Sequence, residues 1–198
     1  MDLAIGDELT PGYNPKTINN RKEPKALSKA LGEKTISKGM KGASLTLEGK
    51  SNLLHQLNQF SLPAYDRIFL FYGENDYLNS KAKLGEIGKT LTKAIKVIRK
   101  RNQWIKIYGI LPLPIYNKKG RSLAGVRGPA FYTLHDLIAM LDVTYANNNV
   151  PALNWGTLSN PIINQNNYKQ RLVKGRIPTS STYQLMADRI STFVKNNN

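Results

Sequence analysis

Apolar positions fall along this chain in short runs and helical stripes that take turns, and the alternation predicts the architecture. Leu3, Ala4 and Ile5 form a run that stops at Gly6 and Asp7, which reads as a buried strand ending in a glycine turn. A polar, Asn- and Lys-rich loop follows over residues 11–22. Residues 23–34 then read as a helix, with Pro24 tolerated in its first turn and Ala26, Leu27, Ala30 and Leu31 on one stripe. Gly39 and Gly42 break the chain before a second strand expected at residues 43–47, and residues 51–60 read as a helix with Leu53, Leu54 and Leu57 inward. Residues 67–72, R-I-F-L-F-Y, are a nearly continuous run of strand formers suited to a strand covered on both faces.

Residues 83–102 carry the clearest helical period. Leu84, Ile87, Leu91, Ala94, Ile95 and Ile98 line one face, and Lys89, Lys93, Lys96, Arg99 and Lys100 fill the other. A strand is expected at 104–111, stopped by Pro112 and Pro114, then a basic loop over 117–129 and a helix over 131–147. A short strand at 151–155 and a long polar loop lead to a last helix over 181–195, with Met186, Ile190, Phe193 and Val194 inward and a frayed Asn-rich end at 196–198. Five short strands alternating with helical segments predict an α/β fold: a three-layer, doubly wound, parallel five-stranded sheet. In such sheets ligands sit beyond the carboxyl ends of the strands, so the loops after Gly6 and Gly73 are expected side by side.

Length and composition narrow the class. A chain of 198 residues, 40% hydrophobic, fits one domain spanning 1–198, and no run approaches the twenty apolar residues of a membrane span. With no cysteine, disulfide and thiol chemistry are excluded. The first apolar segment is only three residues long and belongs to the fold, so no leader is read at the start. Lys and Arg number 29 against 13 acids, a formal charge of +16 that attracts polyanions such as nucleic acid, teichoic acid or anionic lipid. Aromatic residues are not interleaved with the cations, so nucleic acid is not favoured. An external, Gram-positive setting is preferred over the cytoplasm, and the oligomeric state is left open.

The motifs point to one family. The opening G-D-E-L-T, Gly6 to Thr10, resembles the G-D-S-L-T block of the SGNH (GDSL) hydrolases, with Glu8 where that family has its nucleophilic serine. Gly73-Glu74-Asn75-Asp76 matches its G-x-N-D block, and Asp66 stands where the family often has an aspartate. Gly49 is the candidate for the second-block glycine, with Gly42 as its rival. The segment from Lys174 to Ala187 resembles the fourth block by its flanks, with Lys174 at the aspartate and Ile177 at the histidine. The resemblance implies the SGNH fold, ester or acetyl-group substrates, and an oxyanion-stabilising role for Gly49 and Asn75. Asp7, Gly73 and Asp76 would support the loops.

The chemistry departs from that pattern. Acyl transfer by this route needs a hydroxyl nucleophile, an imidazole base and an orienting carboxylate. Glu8, Ile177 and Lys174 supply none of them, and His55 and His135 lie far from the fourth block. No catalytic residue, metal or cofactor is therefore expected. A degenerate, non-catalytic member binding an anionic or acylated cell-wall glycan in the remnant cleft, or serving as an accessory module, is the leading reading. An active carbohydrate O-acetyl esterase or acyltransferase with relocated residues is the second, and a ligand-free interaction protein the third. Two further expectations concern charge. Glu8 is expected to pair with Lys174 or Arg176, and Lys174, Arg176 and Arg171 are the candidate anion-binding cations. Asp7, Glu8, Glu74 and Asp76 also offer an acid/base set for a glycosidic bond.

Overall fold

The computed structural model describes residues 1–10 and 25–197, with the Lys25 side chain left aside. The loop expected over 11–22, the first two residues of the helix expected over 23–34, and Asn198 lie outside the described residues. In chain order the elements begin with β1 (Asp2–Gly6), α1 (Lys25–Leu31), β2 (Thr35–Gly39), α2 (Leu53–Leu57) and β3 (Arg67–Phe71). They continue with α3 (Glu74–Asn79), α4 (Leu84–Arg101), β4 (Lys106–Ile110), α5 (Leu134–Asn147) and β5 (Ala152–Leu153). α6 (Tyr168–Arg171), β6 (Leu172–Val173), β7 (Ile177–Pro178) and α7 (Ser180–Asn196) complete the described chain.

Five strands form one sheet in the order β2-β1-β3-β4-β5, every pairing parallel, with Gly6 opposite both Gly39 and Phe71. Strand order reverses between β1 and β3, so their carboxyl ends form the switch-point crevice. Side chains alternate across the sheet as the pleat demands. Leu3, Ile5, Ile68, Leu70 and Ile107 face the layer of α2, α4 and α5; Ala4, Phe69, Phe71, Tyr108 and Ile110 face α1 and α7. The fold is thus the three-layer, doubly wound α/β sandwich the pattern predicted. Among the described residues no helix is long and apolar enough to cross a membrane.

Several elements depart from expectation: α3 forms where a loop is expected after Gly73, and α6, β6 and β7 form within the long polar loop expected before the last helix. The second strand is Thr35–Gly39, not residues 43–47. It is an edge strand with only Thr35 fully buried, so it needs no apolar run and shows none. Ala43 and Leu45 are fully buried, but they lie outside the sheet, in turns whose one bridge runs from Ser44 to Asn52 ahead of α2. Their apolar character reflects core packing under α2 rather than strand pairing.

Candidate functional site

The site begins with the close approach of two strand ends. Gly6 leaves β1 at φ +153°, and a Cβ there would lie 2.0 Å from the Phe71 carbonyl oxygen. Only glycine lets β1 reach β3 this closely. The Asp7 amide then donates to that same Phe71 carbonyl at 3.0 Å. Beyond it the chain turns tightly: the Leu9 amide donates to Asp7 Oδ1 at 2.8 Å and the Thr10 amide to the Asp7 carbonyl at 3.2 Å. This Asx turn presents Glu8 at the mouth of the crevice, half-buried. Tyr183 on α7 donates its hydroxyl to the Glu8 carbonyl at 2.7 Å, fixing the turn from the opposite layer.

The Glu8 carboxylate is held by two neutral donors. Asn75 Nδ2 donates to Oε2 at 2.8 Å, and the Gly42 amide donates to Oε1 at 3.2 Å. Asn75 is oriented from both sides, since its Nδ2 also reaches the Ala43 carbonyl at 3.1 Å and its Oδ1 accepts from Asn79 Nδ2 at 3.0 Å. Of the two glycines considered, the one whose amide reaches Glu8 is Gly42. Gly49 sits at φ +110° in the turn before α2, where its carbonyl accepts from the Asn52 amide at 3.2 Å.

The surrounding carboxylates are committed. Asp76, fully buried, accepts from the Leu45 amide at 2.8 Å, the Thr46 amide at 3.0 Å and the Thr46 hydroxyl at 2.7 Å, tying α3 to the turn that carries Gly42 and Ala43. Burial pushes its carboxyl up, and these donors oppose the shift. Glu74 is 2% exposed, and its Oε1 accepts from Arg176 Nε at 2.7 Å. Burial raises Glu74 to about 7 against the lowering pull of the Arg176 guanidinium. Asp7 is 1% exposed and is pushed well above the carboxylate range, first by burial and then by the charge of Glu74. Among the described residues Asp7 Oδ2 and Glu74 Oε2 have no hydrogen-bond partner. Asp7, Glu74 and Asp76 are thus buried, which leaves Glu8 as the one half-buried carboxylate of the four.

The expected ion pair of Glu8 with Lys174 or Arg176 does not form. Arg176 pairs with Glu74 instead, and among the described residues no cation lies within ion-pair distance of Glu8. The reason is the path of the fourth block. Leu172 and Val173 pair antiparallel with Pro178 and Ile177, closing a hairpin whose turn puts Lys174 at φ +52° and Gly175 at φ +73°. The Gly175 carbonyl accepts from the Tyr116 amide at 2.9 Å, which anchors the tip to the loop after β4. In this geometry Lys174 is exposed, Ile177 is half-buried and Arg176 turns back onto α3. Arg171 ends α6, where its carbonyl accepts from the Thr179 amide and the Thr182 hydroxyl, each at 2.9 Å.

His55 on α2 and His135 on α5 are both exposed, and neither is hydrogen-bonded to Glu8. Asp66 stands just before β3, at the sheet edge opposite the crevice. Among the described residues no three His, Cys, Asp or Glu side chains are grouped to hold a metal ion. The Arg176–Glu74 pair, spanning 102 positions, is the feature sequence reasoning missed. The nearest signal was an acid, Glu74, placed directly after the buried strand β3 and its glycine.

Comparison with known proteins places this geometry. No family model and no curated protein sequence matches the chain. Solved structures do. A protein from Lactobacillus plantarum superposes with a TM-score of 0.80 at 15% identity, covering 100% of this chain and 97% of that one. Est24, a carbohydrate acetylesterase from Sinorhizobium meliloti, gives 0.68 at 16% identity over 100% and 99%. A GDSL-like lipase from Bacteroides thetaiotaomicron gives 0.67 at 16% identity over 100% and 88%. With its parallel 2-1-3-4-5 sheet and a crevice between the first and third strands, the chain has the fold of the SGNH (GDSL-like) hydrolases.

Proposed function

We propose that this chain is a catalytically silent SGNH-type protein whose Glu8 carboxylate occupies the anion-stabilising cradle that an active relative would offer to a reacting ester. One observation carries the reading: Asn75 Nδ2 and the Gly42 amide both donate to Glu8, one to each oxygen. Such donors stabilise an oxyanion when preorganised, at about 3 kcal/mol for a single donor. Here a resident carboxylate takes them. No hydroxyl nucleophile stands at position 8 and no imidazole stands at position 177, so attack and proton transfer have no agents.

In this reading Gly42 and Asn75 are the remnant cradle, Asp7, Gly73 and Asp76 hold the loops, and Lys174, Arg171 and Arg176 border the cleft. An anionic or acylated glycan is the ligand class that the basic border and the esterase-type fold favour, with an accessory-module role for the whole. Arg176 contributes less free charge than Lys174, because Glu74 already neutralises it.

Turnover of a short-chain aryl acetate tests the reading. The wild-type chain is expected to hydrolyse no faster than buffer, whereas the combined Glu8→Ser, Lys174→Asp and Ile177→His substitutions are expected to produce esterase activity. Wild-type turnover that disappears in Glu8→Ala or His55→Ala would overturn the proposal in favour of relocated catalytic residues. Binding is tested separately with an O-acetylated oligosaccharide. At a hundredfold excess over its dissociation constant a native-state ligand adds about 2.7 kcal/mol, a rise of roughly 5–10 °C in melting temperature for a chain this size.

A further inference from the structure

A basic groove lies on the helical layer, sharing no residue with the Glu8 crevice. Between α4 and the end of α5 runs an open groove of about 630 Å³. Lys89, Lys93, Lys96 and Lys100 line one side, at spacings of four, three and four residues that keep them on one helix face. Thr144, Asn147 and Asn148 line the other, and Thr92 lies between. Gly88 closes one end: a Cβ there would come within 3.1 Å of Met140 Sδ and 3.2 Å of Thr144 Oγ1, so glycine lets the helices meet. Asn148 Nδ2 donates to Thr92 Oγ1 at 3.1 Å and to the Thr144 carbonyl at 2.8 Å, forming a tied floor.

Two ordinary explanations of the lysines fall short. A solvated helix face mixes signs, and like charges three or four positions apart cost about 0.2–0.5 kcal/mol each. Here three such pairs follow one another, no acidic side chain lines the groove, and none of the four lysines makes an ion pair among the described residues. Compensation of the helix dipole accounts for Arg99, Lys100 and Arg101 in the last turn, but its effect is confined to that turn and leaves Lys89, Lys93 and Lys96 unexplained.

We propose that the α4–α5 groove binds a flexible, linear polyol phosphate, its phosphodiesters held by Lys89, Lys93, Lys96 and Lys100. Charge complementarity selects a polyanion, and the lining selects among polyanions. Among the described residues the groove contains no aromatic side chain on which a base could stack and no guanidinium fork. Lysines act instead as mobile point charges suited to evenly recurring phosphates. Thr92, Thr144 and Asn147 put hydroxyl and amide groups beside them, within the same groove, for the hydroxyls of a polyol linker. The concave shape of the groove does not suit a flat lipid surface.

The test is titration of the whole chain with a poly(glycerol phosphate) oligomer across a salt series. Four phosphate contacts on a single flexible chain predict a slope of log K against log salt of about −3. Replacing Lys89, Lys93, Lys96 and Lys100 with Gln, a good helix former, is expected to weaken binding at about 50 mM salt by roughly tenfold or more and to flatten the slope. The same change at Lys118, Lys119 and Arg121 is expected to leave most of the affinity. Equal binding by the groove variant overturns the proposal, as does tighter binding of an oligothymidylate of equal charge or binding confined to anionic vesicles. The Glu8→Ser, Lys174→Asp and Ile177→His chain should bind the oligomer like wild type, which keeps this outcome separate from that of the crevice.

Discussion

Removing Arg176 should make the stability of this protein depend on pH in a way that exposes the buried Glu74. In the folded chain Glu74 titrates near 7 rather than 4.5, because burial outweighs the guanidinium beside it. A raised carboxyl favours the folded state while protonated in it. Its contribution is fully present below the unfolded value near 4.5 and is lost as pH rises through about 7, to the extent of about 3 kcal/mol. Arg176→Gln deletes the cation that lowers Glu74, so the loss should deepen and extend above pH 7. Breaking a buried pair costs about 3–5 kcal/mol; Arg176 keeps 38% of its side chain exposed, and the discounted cost at pH 8 is about 2–3 kcal/mol. At pH 5, with Glu74 neutral in the fold, only an ordinary hydrogen bond is lost, about 1 kcal/mol. Urea unfolding from pH 5 to pH 8, read as midpoints at constant slope, measures both. On a Glu74→Gln background, Arg176→Gln should cost about 1 kcal/mol throughout. Asp7 feels the charge of Glu74, so each Arg176→Gln cost is taken within one background at one pH. A cost that is the same at pH 5 and pH 8 would refute the assignment.

Other substitutions probe the scaffold of the crevice. Gly6→Ala should cost more than about 3 kcal/mol or prevent folding, because the new methyl meets the Phe71 carbonyl; Gly85→Ala on α4, where the space is open, should stabilise by about 0.5–1 kcal/mol. Thermal melts of the two variants decide this, and similar behaviour would discount the close approach of β1 and β3. Asp76→Ala should cost about 3 kcal/mol, since the buried Leu45 amide and the Thr46 donors lose their acceptor, and a melting shift under about 2 °C would contradict that.

Much of the fold was written in local pattern. α4 was readable from Ile87, Leu91, Ala94, Ile95 and Ile98, because a helix that buries one stripe must repeat it every turn, and β3 was readable because a central strand is covered on both faces. The edge strand β2 was not, since an element with one covered side has no need of a continuous apolar run. Residues 43–47 misled for the converse reason: burial of Ala43 and Leu45 does not distinguish a strand from a packed turn.

The amino-acid order by itself determined which side chains stand at the motif positions. Glu8, Lys174 and Ile177 carry neither hydroxyl nor imidazole wherever they lie, and the G-x-N-D turn at Gly73 marked the right strand end. Tertiary structure decided the partners. Gly42 rather than Gly49 reaches Glu8, and Arg176 answers Glu74 from 102 positions away. Hydrogen bonds and ion pairs depend on distance in space, and the path of a hairpin tip pinned to Tyr116 is fixed by packing between elements, which no local pattern of side chains records.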